Sequence, residues 1–177
     1  CAKHAPCGRC SYRHWLRTLA RGTAASFAGG TTDGQACWRS MRAALVRSRA
    51  PVEDRPVTIE DVPVPEPADD EVLLKVEVCG LCRTDLHVVE GDLEPRLNPV
   101  IPGHQVVGRV VTPARDGSGP PEGTRVGVAW LGKTCGGCRF CGSQRENLCE
   151  KPEFTGWTRH GGFAEFVAAV VRDADRV

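Results

Sequence analysis

Apolar and polar residues alternate along several short stretches of this sequence. In EVLLKVEV, residues 71–78, the even-numbered positions are Val or Leu and would share one face of a strand, whereas Leu73, Lys75 and Glu77 would share the other. A repeat of two predicts a half-buried β-strand. Further Val-rich runs, MRAALVRS, VTIEDVPV, HQVVGRVV, TRVGVAW and GFAEFVAAV, are separated by stretches rich in Pro and Gly. This pattern predicts a mainly β (α+β) domain, a small barrel or sandwich, with few short helices.

One short helix is predicted inside CGLCRTDLHVVEG. Thr84 or Asp85 would cap its beginning, and Gly91 stands where a C-terminal glycine is favoured. Thr84 and His87 are three residues apart, so their hydroxyl and imidazole would share a helix face and could pass a proton along one cavity. Cys82 would precede the first turn, where free backbone amides favour the thiolate that binds metal.

A histidine follows downstream in IPGHQVVG. His104 stands in a Gly-flanked turn that leads into a predicted strand, from which its imidazole could point back at Cys82. A thiolate and an imidazole from separate loops form part of a zinc site. A purely structural histidine is an equally open alternative at this point.

Four further cysteines have a more specific spacing. The segment CGGCRFCGSQRENLC has the pattern C-x2-C-x2-C-x7-C, formed by Cys135, Cys138, Cys141 and Cys149. Four thiolates complete a tetrahedral shell around one zinc and leave no position for water, so the predicted site is structural. The alternatives are buried thiols or two disulfides, which such close spacings would strain, and an iron–sulfur cluster, whose ligand spacings differ.

Length and composition narrow the class of protein. The 177 residues suffice for one domain with a core. Six of the ten cysteines lie in metal-ligand spacings, which favours reduced thiols and a cytoplasmic protein. No apolar run reaches the roughly 18 residues that a membrane helix requires. A formal net charge of +1 indicates neither a nucleic-acid nor a membrane partner.

The first forty residues differ in composition from the rest. Residues 1–40 contain six Lys or Arg against one acid and show no sustained periodicity, and Met41 is the only methionine. We interpret residues 1–40 as a non-native upstream extension, poorly structured, in front of a domain at 41–177. One alternative is an organelle transit peptide, because HWLRTLARGTAASF is basic and free of acids. The other is a small metal site built from the residues Cys1, His4, Cys7 and Cys10.

Several motifs in order resemble one known family. The segments GxCxTDLHxxxG, PGHxxxG, GxRVGVxWLxxxCGxCxxCxxxxENLC and GGFAEFV look like the N-terminal half of the zinc-dependent alcohol dehydrogenases of the medium-chain dehydrogenase/reductase family, and they span residues 41–177. This resemblance implies a GroES-like β-barrel that carries a structural zinc lobe at 133–152.

The resemblance also implies roles for individual residues. Cys82 and His104 resemble two ligands of the catalytic zinc, and Thr84 resembles the hydroxyl that accepts the proton of the alcohol. His87 resembles the far end of that proton path, beyond the cofactor ribose. Asp85 resembles the carboxylate that orients the site from behind the ligands.

Other positions around this motif are less uniform. Arg83 resembles a residue that faces the cofactor pyrophosphate, beside Thr84 and His87. Gln105 departs from the family, which usually has Glu after the ligand histidine, and a neutral amide would alter ligand exchange and the acidity of the zinc site. Cys79 aligns with no ligand, and its place at the end of a Val-rich strand favours a buried small hydrophobe over a redox role.

The resemblance implies oxidation of alcohols to aldehydes or ketones, or the reverse, by hydride transfer to NAD or NADP with zinc as Lewis acid. The sequence contains no G-x-G-x-x-G, so a truncated, inactive fragment with about one tightly bound zinc is expected. The full-length enzyme would be a homo-oligomer that acts on a small alcohol or aldehyde. The alternative functions are a structural zinc-binding barrel without catalysis and a zinc-ribbon module that binds nucleic acid.

Overall fold

The computed structural model describes residues 39–171 and residue 177. The predictions for residues 1–38 therefore lie outside the described residues. The strands of the described part of the chain are β1 (Ser40–Val46), β2 (Val57–Pro63), β3 (Val72–Gly80), β4 (Gln105–Thr112), β5 (Arg125–Val128), β6 (Leu131–Lys133), β7 (Glu153–Phe154) and β8 (Phe166–Ala169). Its helical elements are α1 (Arg83–Glu90) and the 3₁₀ turns Val52–Asp54, Cys141–Ser143 and Glu146–Leu148. The predicted mainly β architecture with few short helices is confirmed.

Three antiparallel sheets organise these strands. The largest has the order β5-β4-β3-β8, so the Val-rich β3 and β4 lie at its centre. β1 pairs with β2 in a second sheet, and the short β6 and β7 form a third beside the four-cysteine segment. The first two sheets meet through the contact of Ala43 with Ala164, where residue 44 donates a backbone hydrogen bond to Phe163 O.

The alternation predicted for β3 holds only in part. Leu73 was assigned to the polar face, but it is buried against Met41, Ile101 and Phe166, because the β1–β2 sheet covers that side of the strand. Val78 was assigned to the buried face, but it is 54% exposed. The register of β3 against β4 shifts between residues 76 and 78, and such a bulge turns the following side chain away from the core.

The helix α1 begins two or three residues earlier than predicted. Cys82, and not Thr84 or Asp85, is the N-cap, with an extended backbone at φ −136° and ψ 179°. The Asp85 carboxylate accepts a hydrogen bond from the Cys82 backbone N–H at 2.8 Å. This is the bond of a capping box in which the side chain at the third helical position binds the backbone of the N-cap. At the other end, Gly91 is the predicted C-terminal glycine, and its N–H donates to His87 O.

Two valines seat α1 on the rest of the domain. Val88 and Val89 are buried against Val46 of β1 and against Val100. Burial of a valine side chain contributes about 1.5–3 kcal/mol. Val46 and Val100 also exchange two backbone hydrogen bonds of 2.9 and 3.1 Å. These contacts hold the C-terminal half of α1 against β1 and against the residue just before the segment at 101–104.

No helix among residues 39–171 has the length and apolar character needed to cross a bilayer.

Candidate metal centres

Cys82 and His104 face each other. Cys82 precedes α1, His104 precedes β4, and the Cys82 Sγ lies 3.3 Å from His104 Nε2. A tetrahedral zinc with ordinary Zn–S and Zn–N bonds would separate these two atoms by about 3.5 Å. His104 is 7% exposed, whereas Cys82 is half-buried. The pair therefore fits one metal ion between a thiolate and an imidazole.

Asp85 connects both halves of this pair. It is 2% exposed, and its two oxygens accept the backbone N–H groups of Cys82 at 2.8 Å and of Gly103 at 3.1 Å. Asp85 Oδ1 also lies 3.4 Å from His104 Nδ1, on the opposite side of the ring from the thiol. A carboxylate in that place favours the tautomer whose Nε2 is free to bind metal. Asp85 thus stands behind the imidazole and orients it.

The turn that carries His104 depends on a glycine. Gly103 has φ 94°, a left-handed conformation that other residues rarely adopt. A Cβ at this position would lie 2.8 Å from Cys79 Sγ and 2.8 Å from a ring carbon of Phe163. The Gly-flanked turn noted in the sequence is therefore required both by backbone conformation and by space.

The other residues of the helix motif supply no atom to this metal-ligand group. His87 Nδ1 is 2.7 Å from Asp92 Oδ2, with the histidine side chain 36% exposed. Arg83 is exposed and Thr84 is half-buried on the first turn of α1. The group of metal-binding atoms found here among the described residues comprises Cys82, Asp85 and His104.

Gln105 lies on the open side of β4. It is exposed and pairs in register with Gly80 of β3. Its side chain covers that glycine, where an added Cβ would lie 2.7 Å from Gln105 Oε1. Gln105, His104 and Trp130 line a cleft of about 640 Å³ whose other walls are largely valine and glycine.

An aromatic stack borders the histidine. The ring of Trp130 meets His104 edge-on, with the ring centroids 5.1 Å apart. Trp130 stacks in turn on Phe154 and Trp157, at 5.1 and 5.8 Å. Edge-to-face and stacked rings at these distances fix each other's orientation. Trp130 therefore both lines the cleft and packs against other rings.

The four clustered cysteines form a second group. Their sulfur atoms all lie within 4.8 Å of one another, and none is in a disulfide. Cys135 Sγ and Cys138 Sγ lie 3.9 and 3.6 Å from Cys141 Sγ. A tetrahedral zinc with four ordinary Zn–S bonds would separate its sulfurs by about 3.8 Å. The donor set fits one closed metal site.

Backbone amides point at these sulfurs. Cys149 Sγ accepts the N–H groups of Cys135 at 3.3 Å and of Lys151 at 3.4 Å, and these amides lower the pKa of the Cys149 thiol. The backbone of Cys141 similarly lowers the pKa of Cys138 to about 6, whereas burial raises the pKa of Cys141 to about 11. Amide donors stabilise thiolates, and several thiolates this close need a cation between them.

Cys79 stands outside both groups. It packs against the core of the large sheet, and burial raises the pKa of its thiol to about 11. A thiol with that pKa stays protonated near neutral pH and is a poor nucleophile. This environment favours the buried hydrophobe over the redox alternative.

Two clusters of side chains that could each hold a metal ion thus lie on a mainly β domain. The family model described as "Alcohol dehydrogenase GroES-like domain" matches residues 68–175. The chain belongs to this family, the GroES-like domain of the alcohol dehydrogenases within the medium-chain dehydrogenase/reductases. The predicted family is therefore confirmed.

Named relatives agree with this assignment. A probable alcohol dehydrogenase AdhA of Mycobacterium tuberculosis is 46% identical over 132 residues, which are 72% of this chain and 38% of that protein. The cobalt- and zinc-bound thermostable alcohol dehydrogenase of Pyrobaculum aerophilum has a TM-score of 0.68 at 28% identity over 78% of this chain and 41% of its own. An NADP-bound, zinc-binding dehydrogenase from Sinorhizobium meliloti has a TM-score of 0.63 at 33% identity, over 78% of this chain and 38% of its own. The chain thus spans about two fifths of the length of these relatives.

Some residues around the site gave no signal in the sequence. His160 lies in the loop between β7 and β8, and its Nδ1 accepts the backbone N–H of Ile101 at 3.2 Å. Arg159 forms a largely buried ion pair with Glu71, which ties the loop after β7 to the start of β3. Neither partnership has a characteristic spacing, because each joins segments that only the folded chain brings together.

Proposed function

We propose that this chain supplies the zinc-binding domain of an alcohol dehydrogenase that interconverts alcohols and aldehydes or ketones with NAD or NADP. One observation carries the proposal: Cys82 Sγ and His104 Nε2 lie 3.3 Å apart, with the Asp85 carboxylate behind the imidazole. The names of the relatives support the reaction. Because the chain spans 38% of the Mycobacterium relative, we assign it the metal-binding part of that reaction.

Each residue of the helix motif has a proposed task. Cys82 and His104 would hold a zinc ion, which supplies Lewis-acid chemistry that lowers the pKa of a bound alcohol. Thr84 would accept the proton of that hydroxyl, and His87 would release it to solvent at the far end of the proton path. The position of His87 supports this last step, because its side chain is 36% exposed to solvent and its Nδ1 lies 2.7 Å from the exposed Asp92 Oδ2.

Arg83 and Gln105 complete this proposal, one beside the cofactor and the other beside the metal. Arg83 is exposed on the first turn of α1 and would meet the pyrophosphate of the cofactor. Gln105 replaces the usual acid and presents a neutral amide to the cleft beside His104. The site therefore has one negative charge fewer next to the metal than a Glu would give, which favours stronger polarisation of a bound oxygen.

The lobe around the four cysteines would bind a structural zinc. Its closed donor set should hold the ion tightly, whereas two protein ligands should hold the second ion loosely. Prolonged dialysis followed by metal analysis tests this difference: we expect about one zinc per chain and no alcohol-dependent reduction of NAD or NADP. Cys149→Ser should remove the retained zinc, and Cys82→Ser should leave it. Two zincs retained, or activity of the chain alone, would contradict the proposal.

A chimera tests the enzymatic role directly. Residues 41–171 would be joined to the remaining sequence of the Mycobacterium relative, and reduction of NAD and NADP would be followed with a panel of small alcohols. We expect activity that Cys82→Ser abolishes. A chimera that folds and binds cofactor but remains inactive would favour the structural barrel without catalysis.

The nucleic-acid alternative has less support. Lys133 forms an ion pair with Asp70 at 2.7 Å, and Arg139 forms one with Glu150 at 3.2 Å. Two of the basic side chains near the lobe are therefore neutralised within the chain. A nucleic-acid surface needs free cations beside stacking aromatics. We accordingly propose that the substrate is a small alcohol or aldehyde and that the full-length enzyme is a homo-oligomer. We propose that it acts in the cytoplasm, where thiols stay reduced.

A further inference from the structure

The segment at 101–104, which ends in the candidate ligand His104, is held by the loop that precedes β8. Gly161 N–H donates to Ile101 O at 2.7 Å, Gly162 N–H donates to Gly103 O at 2.8 Å, and residue 163 donates to residue 102 at 3.0 Å. These three bonds are formed by the backbone. The loop adds one side-chain bond, from Ile101 N–H to His160 Nδ1 at 3.2 Å.

The bond to His160 requires a neutral imidazole. Its Nδ1 accepts the Ile101 N–H, so the proton of the neutral ring lies on Nε2. A protonated ring has two N–H donors, and Nδ1–H would then face the Ile101 N–H without an acceptor between them. A buried backbone N–H left without a partner is destabilising. The contact is thus present in one protonation state of His160 and absent in the other.

The surroundings of His160 favour the neutral state. Burial lowers the pKa of the imidazole. His160 lines a second cleft, of about 670 Å³. The charged residues of this second cleft are each paired elsewhere: Arg47 with Glu60, Glu66 with Arg115, and Arg159 with Glu71. Within residues 39–171, no carboxylate forms an ion pair with His160 that would hold its proton.

We propose that His160 is a positioning residue for the metal site: its neutral imidazole fixes the Ile101 peptide and thereby the direction from which His104 approaches Cys82. His160 touches neither metal nor substrate in this role. The inference rests on the proposed function, because it takes His104 as a metal ligand. The inference adds one residue to that function: His160 lies 56 residues after His104, the ligand that it orients.

Two substitutions separate the hydrogen bond from the bulk of the ring. His160→Leu keeps an apolar side chain of similar size but removes the acceptor. His160→Asn places a carbonyl oxygen near the position of Nδ1 and does not titrate. If the hydrogen bond is what matters, His160→Asn should behave like the unchanged chain and His160→Leu should not.

Cobalt binding is the first measurement. The lobe is filled with zinc, Co²⁺ is titrated in, and the thiolate-to-cobalt absorption that disappears in Cys82→Ser reports the Cys82–His104 site. We expect about tenfold weaker binding in His160→Leu, the lower end of the effect of groups that support metal ligands, and near-normal binding in His160→Asn. Equal affinities in the unchanged chain and His160→Leu would overturn the inference.

Acid provides the second measurement, and it remains decisive if His160→Leu fails to fold. Acid weakens cobalt binding in every variant because metal ligands must be deprotonated, but protonation of His160 adds to this loss only where residue 160 is histidine. Because burial lowers the pKa of His160, this added loss lies below the ordinary histidine value of about 6.5, and there the affinity of the unchanged chain should fall more steeply than that of His160→Asn. Parallel pH profiles would overturn the inference.

Hydrogen exchange distinguishes this inference from the proposed function. The Ile101 amide should exchange faster in His160→Leu than in His160→Asn at neutral pH, whether or not metal is present. Equal exchange would overturn the role of His160 as an acceptor. If no cobalt absorption depends on Cys82 in the unchanged chain, the proposed metal site fails and the positioning role fails with it, whatever the exchange shows.

Discussion

We expect Asp85→Asn to lower the stability of this domain strongly, although Asn has nearly the same shape as Asp. The carboxylate accepts two backbone N–H groups, from Cys82 at 2.8 Å and from Gly103 at 3.1 Å, and it is 2% exposed. An Asn amide has one oxygen and one NH₂ group, so it accepts one of these N–H groups and opposes the other with a donor. The substitution therefore acts where the start of α1 meets the turn before His104.

The magnitude follows from these bonds. A hydrogen bond to a charged group contributes about 1.5–3 kcal/mol and a neutral one about 1 kcal/mol, so the bond that Asn keeps is weakened by about 1 kcal/mol. The other N–H becomes a buried, unpaired donor, which costs about 1–3 kcal/mol. Asp85→Asn should thus lower the free energy of unfolding by about 2–4 kcal/mol, less whatever is gained because a buried charge no longer has to be desolvated.

Urea unfolding of the chain with its lobe zinc-loaded measures this loss, provided that the slope with denaturant is unchanged. Asp61→Asn is the matched control, because Asp61 is an exposed residue of β2 and the chemical change is the same. Surface substitutions of this kind stay within about 0.5 kcal/mol. If Asp85→Asn unfolds at the same urea concentration as Asp61→Asn, Asp85 does not hold the two segments together as we describe.

Two further predictions concern close packing and thiol reactivity. Gly161→Ala would place a Cβ 2.1 Å from Gly103 O, so we expect a loss of several kcal/mol in urea unfolding, whereas Gly142→Ala, which meets no atom within 4 Å, should cost about 1 kcal/mol or less. In metal-stripped protein at pH 8, the Cys138 thiol, with a pKa of about 6, should be alkylated first, and Cys79, with a pKa of about 11, should be alkylated last, because only the thiolate reacts. Peptide mass spectrometry gives the order, and faster labelling of Cys79 would contradict its buried environment.

Local sequence patterns predicted where the strands and the helix lie better than they predicted which side chains are buried. The alternation in β3 identified the strand, but it could not show that a second sheet covers Leu73 or that a bulge turns Val78 outward. Both depend on partners distant in sequence. The cap of α1 was placed too late for a related reason: Cys82 is a rare capping residue, and its role depends on the Asp85 side chain that accepts its N–H.

The two clusters of metal-binding residues differ in the same way. The four clustered cysteines lie within fifteen residues, so their spacing alone indicated that their sulfurs could meet, and these do lie within 4.8 Å of one another. Cys82 and His104 come from different segments, and their approach depends on how α1 and the 101–104 turn pack. The contact of His160 with Ile101 spans 59 positions, and no local pattern could have predicted it.

The aromatic stack gives this domain an intrinsic fluorescence signal close to His104. Trp130 touches the ring of His104 on one side and Trp157 on the other, so a change of charge or of ligand on that imidazole perturbs an indole directly. Emission from these side chains should therefore report events at His104 without any attached dye. Phe154, which belongs to β7 next to the four-cysteine segment, lies in the same stack, so loosening of that segment would register in the same signal.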